Sequence, residues 1–185
     1  TDSSAASDVY KRQILILLIT AFTYSCDSIN EAKSAPTIIG HEISDEDGST
    51  MPLYAGSMST VQVWENYIAA HNDADFEAIR NMNAEKNFSI NGPRGEVIKG
   101  SDAQFEFLTQ WFAENNPKWE INYLIANEYT DEKGALQQWV TTGNDLTLNV
   151  EGSEVKVHQV SDVLIVNGKV QMFYVYERAT PLADE

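Results

Sequence analysis

From about residue 57 onward the apolar positions recur with two different periods, first near 3.6 and then near 2. Val61, Trp64, Ile68 and His71 fall at helical spacing, with Tyr67 beside them. Ser59-Thr60-Val61-Gln62 before them has the form of a capping box, so a helix is predicted that ends near His71–Asn72. Asp73 or Asp75 can cap a second, shorter helix whose buried stripe is Phe76, Ile79 and Met82. Ser101-Asp102-Ala103-Gln104 is another capping-box pattern, followed by a stripe of Phe105, Leu108, Trp111 and Phe112. Asn115-Asn116-Pro117 stops this third helix. Between the second and third helices, Phe88-Ser89-Ile90 alternates as a strand. Asn91–Gly95 then turns, and Val97-Ile98 returns as a short hairpin partner.

The remainder alternates. Lys118–Tyr129, Ala135–Val150, Val155–Val166 and Lys169–Arg178 are long and β-rich, separated by turns at Glu132–Gly134, Glu151–Ser153 and Asn167-Gly168. Such strands pair as an antiparallel meander, and helices first with strands second predict an α+β domain. A meander covered by helices on one side leaves its other side to water or a partner. On the last strand Val170, Met172, Tyr174 and Tyr176 share one parity, while Phe173 and Val175 supply apolar groups on the other. A homodimer through the open face is therefore expected.

Before residue 57 the pattern changes. Ile14–Ile19 is an apolar run too short to span a membrane, and it fits the core of a signal peptide that continues to Cys26. Cys26 after Ser25 resembles a bacterial lipobox, which implies a lipid-anchored protein of the bacterial envelope, with a secreted protein as the alternative. Ser3–Gln13 resembles a translated sequencing adapter, so residues 1–13 are set apart as non-native and 14–26 as the signal segment. Residues 27–56 are polar, acidic and rich in Ser, Gly and Pro, and read as a flexible tether. The domain proper is then 57–180, with 181–185 as a tail.

The order of the domain's elements, with several short motifs, resembles the NTF2-like superfamily, which includes ketosteroid isomerase, SnoaL polyketide cyclases and scytalone dehydratase. Trp64-x-x-Tyr67-Ile68 precedes Asp73-x-Asp75-Phe76-Glu77-Ala78-Ile79, Gly92-Pro93-x-Gly95 precedes Val97-Ile98-Lys99-Gly100, and Trp139-x-x-x-Gly143 and Gly168-Lys169-Val170 follow. The resemblance implies an NTF2-like (cystatin-like) cone, with three N-terminal helices packed on a curved antiparallel sheet around a small-molecule pocket. Fold alone does not give activity. Ketosteroid isomerase needs a carboxylate base and, as oxyanion donors, a tyrosine and a protonated acid. Carried onto this chain, the tyrosine falls on Tyr67, the base on Asn91 and the acid on Val157. Only one of the three roles keeps its residue type, so proton transfer of that kind is not expected. His158, next to Val157, faces the outer side of the sheet unless the register shifts by one, in which case it could act as an acid or base.

Composition narrows the partners. Twelve basic against 28 acidic side chains give a net charge of −16, which repels phosphate backbones and argues against nucleic acid. One cysteine and three scattered histidines, His41, His71 and His158, offer no metal-ligand spacing, and no cofactor motif appears. The leading expectation is a non-catalytic pocket for a small apolar or aromatic molecule, lined by Trp64, Tyr67, Asn91, Trp111, Trp139 and Val157. One alternative is a cyclase, isomerase or dehydratase using His158 with Tyr67. The other is a dimerisation module without a ligand.

Overall fold

The computed structural model describes residues 35–179. The readings of the adapter-like segment, the signal segment with Cys26, residues 27–34 and the tail lie outside the described residues. Within them the elements are β1 (Ile38–Ile43), β2 (Thr50–Ala55), α1 (Met58–Asn72), α2 (Phe76–Met82), β3 (Ser89–Asn91), β4 (Val97–Lys99), α3 (Ser101–Asn115), β5 (Lys118–Thr130), β6 (Leu136–Val150), β7 (Ser153–Val166) and β8 (Lys169–Ala179). The α+β reading holds. The four long strands form the antiparallel meander, within one residue or two of the expected ends.

Among the described residues the sheet has eight strands, in the order β1-β2-β5-β6-β7-β8-β3-β4. The β3–β4 hairpin joins β8 in parallel, with Ile90 opposite Phe173. At the other edge the structure corrects the tether reading: much of residues 35–56 is a β-hairpin that pairs with β5 through Tyr54↔Glu128 and Ala55↔Asn127. The acidic run is its turn. Ser44 N–H donates to Ser49 O at 2.8 Å, Asp47 Oδ1 accepts from Ser49 N–H at 2.9 Å, and Gly48 supplies a φ of +74°. Nearly all of β1 is exposed, so no buried face imposed an apolar period on its sequence.

The helices cover one face. Trp64, Tyr67 and Ile68 of α1, Ile79 of α2 and Leu108 of α3 pack with Val140, Val163, Val170 and Phe173 of the sheet. Both expected capping boxes give way to other caps. α1 is capped by Ser57, whose hydroxyl accepts from Ser59 N–H at 3.2 Å. α3 starts after Gly100, at φ +86° and without a side-chain cap, which leaves Gln104 free to turn inward. Asp75 caps α2 through Ala78 N–H at 2.9 Å. Asn116 ends α3 in a left-handed conformation.

Two irregularities set which side chains face the helices. β5 carries an extra residue, Asn122, between Ile121 and Tyr123, and β8 carries Gln171 between Val170 and Met172. Each reverses the alternation locally. Ile121 and Val170 thus pack inward, while Tyr123, Ile125, Tyr174 and Tyr176 face outward and exposed.

Candidate functional site

Between the helices and the sheet lies a cavity of about 400 Å³. Its helical wall is Trp64, Tyr67, Ile68 and His71 of α1 with Gln104, Phe107, Leu108 and Trp111 of α3. Ile90, Ile98 and the loop between them form one side. On the sheet, Asn144 pairs with Gln159, Leu146 with Val157 and Ser161 with Val175, so these side chains share the inner face. The cavity wall is therefore apolar with a neutral polar band. Three charged residues line it, Arg94, Glu96 and Glu177, and all three are exposed.

Tyr67 is part of the cavity wall and is wholly buried. Its hydroxyl donates to Asn83 Oδ1 at 2.9 Å and accepts from Gln104 Nε2 at 2.7 Å. Asn83 Nδ2 closes the triangle by donating to Gln104 Oε1 at 2.6 Å. Burial pushes the phenol pKa well above its ordinary value, so this hydroxyl stays protonated. With its one proton on Asn83, it has none to give a ligand. Trp64 stacks on Tyr67 at 5.1 Å between ring centroids. The Trp64 indole N–H is buried without a partner among the described residues.

One turn along α1, His71 is buried among the rings of Tyr67, Trp119 and Phe112. Its Nδ1 lies 2.8 Å from Tyr67 O. A carbonyl can only accept, so Nδ1 carries the proton and Nε2 keeps its lone pair. Burial lowers the pKa from 6.5 to about 4, and the ring is neutral at physiological pH. Across from it, Trp119 Nε1 donates to Gln159 Oε1 at 3.0 Å, and Gln159 Nε2 to Glu177 Oε1 at 2.8 Å.

Four expected site residues line the cavity: Trp64, Tyr67, Trp111 and Val157. The others do not. Asn91 stands one residue past Ile90, which takes the inward position; its amide reaches only Phe173 O, at 3.5 Å. Trp139 alternates with Val140, whose side chain is in the core, and so faces the other way. His158 is on the outer face, where its Nδ1 sits 2.5 Å from Asp145 Oδ1. That bond holds the Asp145 carboxyl below its ordinary pKa. The geometry thus separates His158 from Tyr67, and an acid–base pair of the two is not assembled.

Sequence reasoning missed Asn83, Gln104, Asn144, Gln159 and Ser161, and gave His71 no role. One signal was available. Gln104 stands four residues before Leu108 and seven before Trp111, a polar residue on an apolar helical stripe.

The His71 shift has a consequence for stability. The folded-state pKa lies below the unfolded one, so as pH falls the unfolded chain takes up the proton first. The contribution of the neutral ring is fully present above about pH 6.5 and is lost as pH falls toward 4. Over that window wild type should lose roughly 3 kcal/mol more than a His71→Phe variant. Urea denaturation of both proteins at several pH values measures it, and parallel pH profiles would contradict it.

No family model matches the chain, and neither does any curated protein. Solved structures do. A Kribbella flavida protein named as a ketosteroid isomerase superposes with a TM-score of 0.55 at 15% identity, over 71% of this chain and 86% of its own. SalBIII, named as an epoxide hydrolase/cyclase-like enzyme of pyran ring formation in salinomycin, gives 0.54 at 20% identity, over 65% and 92%. A Jannaschia protein named as a SnoaL-like polyketide cyclase gives 0.51 at 13% identity, over 65% and 85%. At these identities the likeness is one of architecture, and the architecture is that of the NTF2-like, SnoaL-like fold.

Proposed function

We propose that the cavity binds a small, uncharged, apolar or aromatic molecule and performs no proton transfer on it. The observation that carries this reading is the lining itself. A volume of about 400 Å³ is within the range of small-ligand pockets, roughly 300–1,000 Å³. Its buried walls are aromatic and aliphatic with neutral polar groups, and its charged residues, Arg94, Glu96 and Glu177, are all exposed. A general base must reach the proton it abstracts. His71 is a weak base at a pKa of about 4, the Tyr67 proton is committed to Asn83, and His158 lies outside the cavity. The solved structures of the same fold include proteins named as enzymes; here the groups facing the ligand favour binding over chemistry.

The test uses N-phenyl-1-naphthylamine, a neutral probe that fluoresces in apolar surroundings. One molecule should bind per chain with micromolar affinity. Val157→Trp, which fills the cavity from the sheet side, should weaken binding at least about tenfold while circular dichroism stays unchanged. Binding that ignores this variant would overturn the cavity as the site. Turnover of a β,γ-unsaturated ketone or an epoxide by wild type would overturn the non-catalytic reading.

We infer further that two copies associate through the outer face of the sheet. Tyr123, Val160 and Tyr176 stand in one exposed row across β5, β7 and β8, with Ile125 and Tyr174 beside it. Tyr123 lies over Gly143, where any side chain would collide with its ring. Exposed apolar groups grouped this way mark association surfaces. Light scattering should give twice the chain mass at micromolar concentration for wild type and the single-chain mass for Val160→Glu/Tyr176→Glu. A monomeric wild type would contradict it.

A further inference from the structure

The ligand reading can be carried to a chemical class through the polar atoms that the cavity leaves unpaired. Besides Trp64, whose indole N–H is sealed from the cavity space, three residues lining the cavity are more than nine-tenths buried and hold side-chain atoms without a protein partner among the described residues. They are His71 Nε2, Asn144 Nδ2 and Ser161 Oγ. Apart from Trp64, the other buried polar side chains around the cavity satisfy one another. Tyr67, Asn83 and Gln104 close on themselves, and Trp119, Gln159 and Glu177 form a chain.

The His71 atom is the most defined of the three. The Tyr67 carbonyl fixes the proton on Nδ1, so Nε2 is an acceptor and nothing else. Packing among Tyr67, Phe112 and Trp119 prevents the ring from turning it elsewhere. A ligand that covers this acceptor without donating to it leaves it unpaired at a cost, so one that donates gains over one that cannot. Facing α1 across the cavity, Asn144 and Ser161 offer neutral partners for an oxygen. Thr142 has one hydroxyl proton within reach of Asn144 Oδ1 and Tyr123 O, both at 3.1 Å, and the Asn144 NH₂ is left over. No buried charge balances an ionised ligand.

We propose that the cavity selects an uncharged aromatic or polycyclic molecule bearing a hydroxyl group, which donates to His71 Nε2, while Asn144 and Ser161 take a second oxygen when one is present. The inference rests on the binding reading above and adds His71 as its specificity-determining residue. An ether of the same skeleton fills the same space but leaves Nε2 unpaired. Such a mismatch separates ligands more sharply than a change of size does.

The probes are 2-naphthol, 2-methoxynaphthalene and 2-naphthylmethylamine, titrated calorimetrically at pH 7 into wild type and His71→Phe. Wild type should bind the naphthol about tenfold or more tighter than the methyl ether, and tighter than the cationic amine. His71→Phe should keep its affinity for the ether and lose the preference. Equal affinity of wild type for naphthol and ether would overturn the role of His71 and leave the cavity standing as a binder; this comparison does not depend on how the variant folds. Preference for the amine would overturn the uncharged class. Binding of none of the three would overturn the cavity reading and this inference with it.

Discussion

The buried triangle of Tyr67, Gln104 and Asn83 is the contact on which the rest of the domain depends. Its members come from α1, α3 and the residue that caps the C-terminal end of α2, so three short segments are joined at one point. Each hydrogen bond contributes only about 1 kcal/mol net, but a member left unpaired in this dry setting costs about 1–3 kcal/mol. Asn83 adds a fourth tie, through Ser101 Oγ at 3.1 Å, to the start of α3. With the helices fixed to one another in this way, they cover the sheet without collapsing onto it, and the space between remains open.

The division of labour in the cavity follows. A tyrosine on the first helix facing a pocket invites a reading as a donor to a ligand. Here its proton is held by Asn83, and its role is to keep the walls apart. In the proposed reading the buried groups left to meet a ligand are the neutral His71, Asn144 and Ser161. None of these carries a charge at pH 7 or has a base strong enough to remove a proton from carbon. Carboxylates occur only where water reaches them. Under the proposed reading, the chemistry on offer is recognition by shape and by neutral hydrogen bonds.

Much of the fold was legible because its punctuation is strong. Gly134, Gly152, Asn167 and Gly168 all adopt positive φ, and each sits at a turn that the sequence placed. The first hairpin was not legible, since an exposed edge pair needs no apolar alternation and Gly40 and Pro52 interrupt it. For the site, helical residues were placed better than strand residues. A helix stripe tolerates an error of one position, whereas on a strand such an error moves the side chain to the opposite face. Asn91, placed by the resemblance, falls one residue past the inward Ile90. On β6 the inward positions include Thr142 and Asn144, so hydrophobicity alone favoured the outward Trp139. The polar triangle was hidden because Asn83, Gln104 and Tyr67 are distant in sequence and meet only in the folded chain.

The role of Tyr67 is the claim most open to direct measurement. Tyr67→Phe keeps the ring and deletes only the hydroxyl. If that hydroxyl holds the helices, the variant should lose about 1–3 kcal/mol in urea denaturation, because Asn83 and Gln104 each lose a partner. Under native conditions it should still bind N-phenyl-1-naphthylamine and 2-naphthol within about twofold of wild type. Unchanged stability together with a fall in affinity of tenfold or more would contradict the account and return the hydroxyl to the ligand.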